Sequence, residues 1–461
     1  MIDFTSIFKL KEKLEPIFVP VKEEDDYCKK HKISRIKLDN GANILGIERP
    51  ISDSVYTSIQ FSFSSGSYFD PPDKQGLHHL TEHLFNRKLR LNTQDKKGIQ
   101  INASTGGLEL RENIGGSTNY SYPFFGLWPV ISQTIQMLRS PVDQYEKPKE
   151  VLDGERSAVE KEIMERDSSQ ARLCFSYLSD LVLGKDNPHT ASNRTLGGRE
   201  SIADISIDDC RELTKKVIGA DNLTASFMTD TYGKTTKEIE KRIAENLVIF
   251  PRVTKNELLD PMIKEATNTD FLNGNNYSFD TGLRDGKAIV FLVWLTSADP
   301  TLSNYWIRTS LIEDSIEKSF HLLSRKYGWS YSGNFEVIVP FWYQTIFATA
   351  LIVPKNSADK LFTFSQEVEQ KFKHELLVRL DERVVGGLIE EQRIQLLAQP
   401  IKQSSRLDCL IEGTEDYNGR IIDPERIREQ RLQAGVKDVL FWRDYLAGTK
   451  PAVVVVGDIE G

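Results

Sequence analysis

Gly76-Leu77-His78-His79-Leu80-Thr81-Glu82-His83 contains the spacing H-x-x-E-H at His79, Glu82 and His83. On a helix each residue advances ~100°, so His79 and His83 stand one turn apart on one face with Glu82 beside them. Two neutral imidazoles so placed can grip one Zn²⁺, and an adjacent carboxylate can serve as a base toward water. A pentad alone also fits a polar helix surface. Of 461 residues, however, only 7 are His, and three of them (His78, His79, His83) cluster here. His78, one residue off the ligand face, reads as a neighbour of the site or as surface.

The flanks extend the pattern. Ile36 to Leu45 reads as strand, Asn40-Gly41 turn and return strand. Val55 to Phe63 alternates apolar and polar residues, and Ser65-Gly66-Ser67-Tyr68 and Asp70-Pro71-Pro72-Asp73 lead into the helix. Further on come Gly98-Ile99-Gln100-Ile101-Asn102-Ala103-Ser104-Thr105, Glu155 to Ile163, and Asn222 to Phe227 before Asp230. This ordered set resembles the pitrilysin/insulin-degrading enzyme/mitochondrial processing peptidase family (M16, the inverzincins), in its short-chain two-domain branch. The resemblance covers most of the first 250 residues and, more loosely, the rest. It implies an α+β chain of two homologous domains, each a mostly antiparallel sheet packed with helices, forming half of a clamshell.

Bulk properties are compatible with this. A chain of 461 residues is expected to split into more than one domain. Hydrophobic content of 39% with 27% charged residues is ordinary for a globular protein. A net charge of −8 argues against nucleic acid as a partner and suits either plain solubility or a chamber for basic peptides. No run approaches ~20 apolar residues, and the start of the chain has neither a signal-peptide nor a transit-peptide pattern. Cys28, Cys174, Cys210 and Cys409 lack C-x-x-C spacing, so reduced structural thiols and a cytoplasmic location are expected.

Along the chain, residues 1–250 read as the metal-bearing domain, with helices near Leu127–Leu138, Pro148–Arg166, Ser206–Ile218 and Lys237–Leu247 and a closing strand Leu223–Met228. The polar stretch 251–276 reads as a connector, and 277–461 as the second domain. There the predicted elements are a strand at Ala288–Leu295, a helix near Asn304–Arg325, and paired strands at Ser330–Val339 and Tyr343–Val353. Helices follow near Ala358–Phe372, Asp381–Leu397 and Asp423–Leu446, and the chain closes on a strand from Ala452. The second half lacks a pentad; its lone His321 reads as surface or core, so one metal site per chain is expected.

The resemblance also implies site residues. The family takes its third ligand from a Glu-x₆-Glu helix, matched by Glu155 and Glu162, seven residues apart (162 − 155 = 7). Glu162 would then be the ligand and Glu155 a carboxylate that orients a ligand or water. Glu160 competes on separation from His83, but it lies about 200° around the helix from Glu162, so both cannot ligate. Glu82 is the expected general base. Asn102-Ala103 matches the edge strand to which the family's substrates add as an extra strand. Phe85 reads equally as a pocket wall or a core residue. The family's second half carries an Arg and a Tyr that support the reacting carbonyl. Here Tyr331 fits, but Ser324 stands at the Arg position and Arg325 is one residue off. The leading expectation is a zinc endopeptidase acting on extended peptides or leader sequences as one subunit of a two-subunit clamshell. The alternatives are a self-sufficient homodimer and a non-catalytic peptide-binding or scaffold subunit.

Overall fold

The computed structural model describes residues 28–30, 32–49, 57–93, 99–105, 110–116, 124–139, 142–168, 170–183, 195–230, 236–253, 273–282, 284–297, 316–317, 320–321, 323–329, 334–341, 344–398, 428–429, 432–433 and 435–460. Two sheets organise them. The first has six strands: β1 (Ile33–Lys37), β2 (Asn43–Arg49), β3 (Thr57–Phe63), β4 (Ile99–Thr105), β5 (Leu110–Gly116) and β6 (Leu223–Asp230), in the order β1-β2-β6-β3-β5-β4. The second has five: β7 (Asn276–Asp280), β8 (Lys287–Ser297), β9 (Asn334–Phe341), β10 (Gln344–Pro354) and β11 (Ala452–Gly457), in the order β7-β11-β8-β10-β9.

The five-strand pattern β2-β6-β3-β5-β4 repeats as β7-β11-β8-β10-β9. In each sheet the closing strand pairs parallel to the first strand of the pattern and antiparallel to the next, β6 with β2 and β3, β11 with β7 and β8. All other pairings between these strands are antiparallel. The two halves of the chain are therefore one topology used twice, with β1 added to the first.

The Asn40-Gly41 turn joins β1 to β2. Gly41 has φ +102°, and a Cβ there would lie 2.3 Å from Asp221 Oδ1, so both the backbone and the space demand glycine. In β3, Ile59, Phe61 and Phe63 enter the first core, while Ser58, Gln60 and Ser62 point to the other face and are buried as well.

Helix α1 (Leu77–Thr93) puts Leu77, Leu80, Leu84 and Phe85 into that core. Helix α2 (Phe124–Leu138) precedes helix α3 (Pro148–Asp167), which starts with proline in its first turn. Glu150 near the start of α3 and Arg166 near its end complement the helix dipole. It buries Leu152, Val159 and Ile163, and Glu155 and Glu162 fall three residues after the first two, on the margin of the buried stripe. Helices α4 (Gln170–Leu183), α5 (Arg199–Asp204), α6 (Ile207–Val217) and α7 (Thr236–Leu247) complete the first half. Helices α8 (Ala358–Arg379), α9 (Glu382–Ala398) and α10 (Val436–Gly448) belong to the second.

The second sheet is covered on both faces. One face packs on α8, α9 and α10 through residues such as Trp294, Phe347, Phe372 and Leu446. The other receives Cys174, Leu178 and Val182 of α4, which meet Phe291, Val293, Val454 and Val456. A helix from the first half thus completes the core of the second. This explains why β8 and β11 are apolar almost without alternation.

Three elements stand apart from the sequence reading. Helices α4 and α5 fall in stretches with no assigned element, and β7 begins at the last residue of the expected connector. The expected helix near Asn304–Arg325 lies largely outside the described residues, as does Cys409. The one expected near Asp423–Leu446 is described as α10 from Val436 onward. No helix among the described residues is long and apolar enough to cross a membrane.

Candidate metal centre

Helix α1 lies along β4, the outer strand of the first sheet, and also packs on α3. Its apolar residues occupy the core side, so His79, Glu82 and His83 emerge toward α3. His79 Nε2 lies 3.0 Å from Glu162 Oε2, and His83 Nε2 lies 3.5 Å from Glu162 Oε1. One ligand atom from each of these three residues lies within 4.8 Å of the others, the only such trio of His, Cys, Asp or Glu among the described residues. Glu160 belongs to no such group, and His321 likewise joins none.

Two nitrogens and one carboxylate oxygen from a pair of helices form a donor set suited to zinc with a position left open. The Glu162 side chain is 42% exposed and the histidine side chains 11% and 16%. The cluster is therefore open on its Glu162 side.

Each histidine is held by a second contact. His83 Nδ1 lies 3.1 Å from Glu155 Oε2. With that proton on Nδ1, His83 Nε2 is left as the acceptor facing Glu162. Glu155 accepts in turn from Arg87 Nη1 at 2.5 Å. Burial pushes the Glu155 carboxyl up, but His83 and Arg87 outweigh it, and the net shift is downward. Arg87, one turn beyond His83 on the same helix, is a residue the sequence reading does not single out. The signal was its i, i+4 spacing from His83.

His79 Nδ1 lies 3.1 Å from Glu82 Oε2. Burial pushes the His79 imidazole down, and the Glu82 and Glu162 carboxylates reverse this, leaving it raised. The side chains of His79 and Glu82 are 11% and 7% exposed, so Glu82 is held against the ligand cluster with little contact to bulk water. Tyr145 donates to the Leu84 carbonyl at 2.6 Å, tying α1 to the loop before α3. Burial and the nearby Glu155 charge push the Tyr145 hydroxyl up to about 12.

The remaining expected site residues fall as follows. Asn102 and Ala103 are in β4, opposite Asn113 and Glu112 of β5, and β4 has no strand on its other side among the described residues. Ala103 is buried. Phe85 is 3% exposed and packs within the first core, which leaves it no free surface for a pocket wall. Ser324 is fully buried with its Oγ unpartnered, whereas Arg325 is exposed. Tyr331 lies outside the described residues.

Comparison with solved structures gives the architecture its place. An M16 peptidase inactive domain from Pseudomonas fluorescens superposes with a TM-score of 0.67 at 13% identity, over 92% of this chain and 97% of that one. The chain has the M16 peptidase fold. Pitrilysin matches with a TM-score of 0.63 at 15% identity, over 92% of this chain and 45% of its own. The chain thus spans less than half of pitrilysin's length. The first half of the periplasmic protease PqqL from Escherichia coli matches at 0.65 and 12% identity, over 93% of this chain and 92% of that one. No protein-family model matches the sequence, and no curated protein matches it. The M16 fold is also present in a protein described as inactive, so activity has to be argued from the residues of the site.

Proposed function

We propose that this chain is a zinc-dependent endopeptidase, the metal-bearing subunit of a two-subunit M16 clamshell. The observation that carries this reading is the convergence of His79 Nε2, His83 Nε2 and the Glu162 carboxylate, with Glu82 beside them. Zinc in such a set polarises a carbonyl and acidifies water. Glu82 is the group that accepts the proton from water and later returns it to the leaving amine. Glu155, backed by Arg87, keeps the His83 ring in its ligating orientation. The edge of β4, which bears no further strand among the described residues, adjoins α1, so a peptide adding there as a strand would run past the histidines with its backbone paired and its side chains largely unread. Extended, unfolded peptides and leader segments are the substrates this mode selects.

The partner is inferred from Ser324. A fully buried serine leaves no room for an arginine side chain at that position, so the cationic support expected beside the reacting carbonyl would come from a second subunit. The exposed Arg325 favours one further reading, a homodimer in which each copy supplies that group to the other. A scaffold role would not require a complete donor set. The described thiols Cys28, Cys174 and Cys210 are buried and form no disulfide with one another, which is compatible with a reducing compartment such as the cytoplasm.

Metal analysis of the purified chain tests the site. About one zinc per chain is expected, retained in Glu82→Gln and lost in His79→Ala, His83→Ala and Glu162→Gln. Zinc retention in both histidine variants would overturn the assignment.

A further inference from the structure

A second constellation lies directly behind the metal cluster. His78 Nδ1 is 2.6 Å from Asp70 Oδ1, and His78 Nε2 is 2.8 Å from Ser65 Oγ. Ser65 and His78 are fully buried and the Asp70 side chain is 1% exposed. Asp70 also accepts the backbone N–H groups of Gly76 at 2.8 Å and His78 at 3.0 Å. Ser–His–Asp is the order of a hydrolytic triad, but a serine with no exposed surface cannot meet a substrate carbonyl. The arrangement must act on the protein itself.

What it joins is informative. Ser65 follows the end of β3, and its N–H bonds the Phe63 carbonyl at 2.7 Å. Asp70 sits in the loop that leads to α1, and His78 is in the first turn of α1. The carboxylate takes three N–H donors, two of them main-chain groups at the start of that helix. With the proton on Nδ1 facing Asp70, His78 Nε2 accepts from the Ser65 hydroxyl, and every member of the chain is satisfied.

The loop is clamped from outside as well. A Cβ on Gly197 would lie 2.2 Å from the Gln75 carbonyl, and one on Gly76 2.7 Å from the Leu196 carbonyl. Ser201 Oγ donates to Gln75 O at 2.9 Å. Helix α1 is thus gripped at its start by polar bonds of fixed direction, where apolar packing alone would permit rotation.

We propose that the buried Ser65–His78–Asp70 relay sets the rotational register of α1 and so positions His79 and His83 for the metal. The inference rests on the zinc reading above. His79 follows His78 by one residue, ~100° around the helix, so the direction of one ring constrains the other. A functional constellation needs its groups held within roughly 0.5 Å and 10–20°. His78 is a positioning residue: it touches neither metal nor substrate.

The test is the zinc affinity of the full chain, measured by chelator competition, with near-UV circular dichroism and Tm recorded on the same samples. His78→Leu fills most of the ring volume and removes both polar contacts. It should weaken zinc binding about tenfold or more in the folded protein, as loss of an outer partner does. His78→Asn, whose amide N–H can take the place of Nδ1 toward Asp70, should recover most of that loss. Ser65→Ala, a milder change that serves if His78→Leu does not fold, should weaken zinc by a few-fold.

A packing role alone would lower Tm in these variants and leave zinc affinity unchanged. A folded His78→Leu with wild-type affinity overturns the proposal, as does wild-type affinity in Ser65→Ala should His78→Leu not fold. These results leave the metal reading intact if the wild type holds zinc tightly. A wild-type chain that binds no zinc overturns both.

Discussion

Glu155 and Glu162 share one stripe of α3, yet they meet different atoms. Glu162 faces the Nε2 atoms of both histidines, and Glu155 faces His83 Nδ1 from behind. Two helical turns separate the carboxylates, while His79 and His83 are one turn apart on the facing helix, so only one of the two can sit between the rings. The division of labour predicts graded effects. Glu162→Ala should abolish stoichiometric zinc binding, and Glu160→Ala should leave it near wild type, as read by metal content after dialysis. Glu155→Gln should fall between, weakening affinity about 10- to 100-fold. The pentad was legible in the sequence because helix period puts its histidines on one face, and Glu155 and Glu162 because the family resemblance points to them. The backing groups Asp70 and Ser65 were not, since each is an ordinary polar residue whose role depends on tertiary approach, and Arg87 left only its i, i+4 spacing from His83 as a trace.

Among the elements, α4 carries the widest consequence. Cys174, Leu178 and Val182 recur every four residues, an apolar stripe visible in the sequence, but nothing local says that it serves the sheet of the other half. Leu178 is 1% exposed between α4 and the second sheet. Leu178→Ala should cost about 2–5 kcal/mol, measured by denaturant unfolding, and should loosen the second half although the change lies in the first. Strand β7 was hidden for the opposite reason. Asn276–Asp280 is a mostly exposed edge strand, so it lacks the apolar alternation that marks buried strands.

A third element effect concerns Glu375 of α8, bonded to Lys326 at 2.9 Å, to Tyr327 at 3.1 Å and to Arg379. The Lys326 and Arg379 cations pull its carboxyl down to about 2. A depressed carboxylate stabilises the fold above its ordinary value of 4.5, and that contribution fades as pH falls toward 2. Glu375→Gln should therefore lower stability at pH 7 by about 1 kcal/mol. Its difference from wild type should shrink between pH 4.5 and 2.

Across the whole molecule, two copies of one topology have diverged. The first carries the His79–His83–Glu162 trio. The second puts a buried serine where the family resemblance implies an arginine. The duplication was expected from the family resemblance and not from the residues alone, since strand order is set by pairings distant in sequence. In the proposed reading, a second half closes over the surface that carries the His79–His83–Glu162 trio. A partner of the same fold with an exposed Arg and Tyr at the corresponding positions should raise turnover by about 10²–10³, the size of one missing donor to transition-state charge. Arg325→Ala should leave that assisted rate unchanged. A drop on Arg325→Ala in the chain alone, at concentrations that favour self-association, would identify the homodimer instead.

The central claim, that this chain holds the catalytic machinery of a zinc peptidase, is tested most directly by cleavage of an unfolded peptide. The zinc-loaded chain and its Glu82→Gln variant would be assayed side by side with the companion subunit present. Cleavage that requires zinc in the wild type and vanishes in the variant, at equal metal content, is the predicted result. Equal cleavage by the two would contradict it.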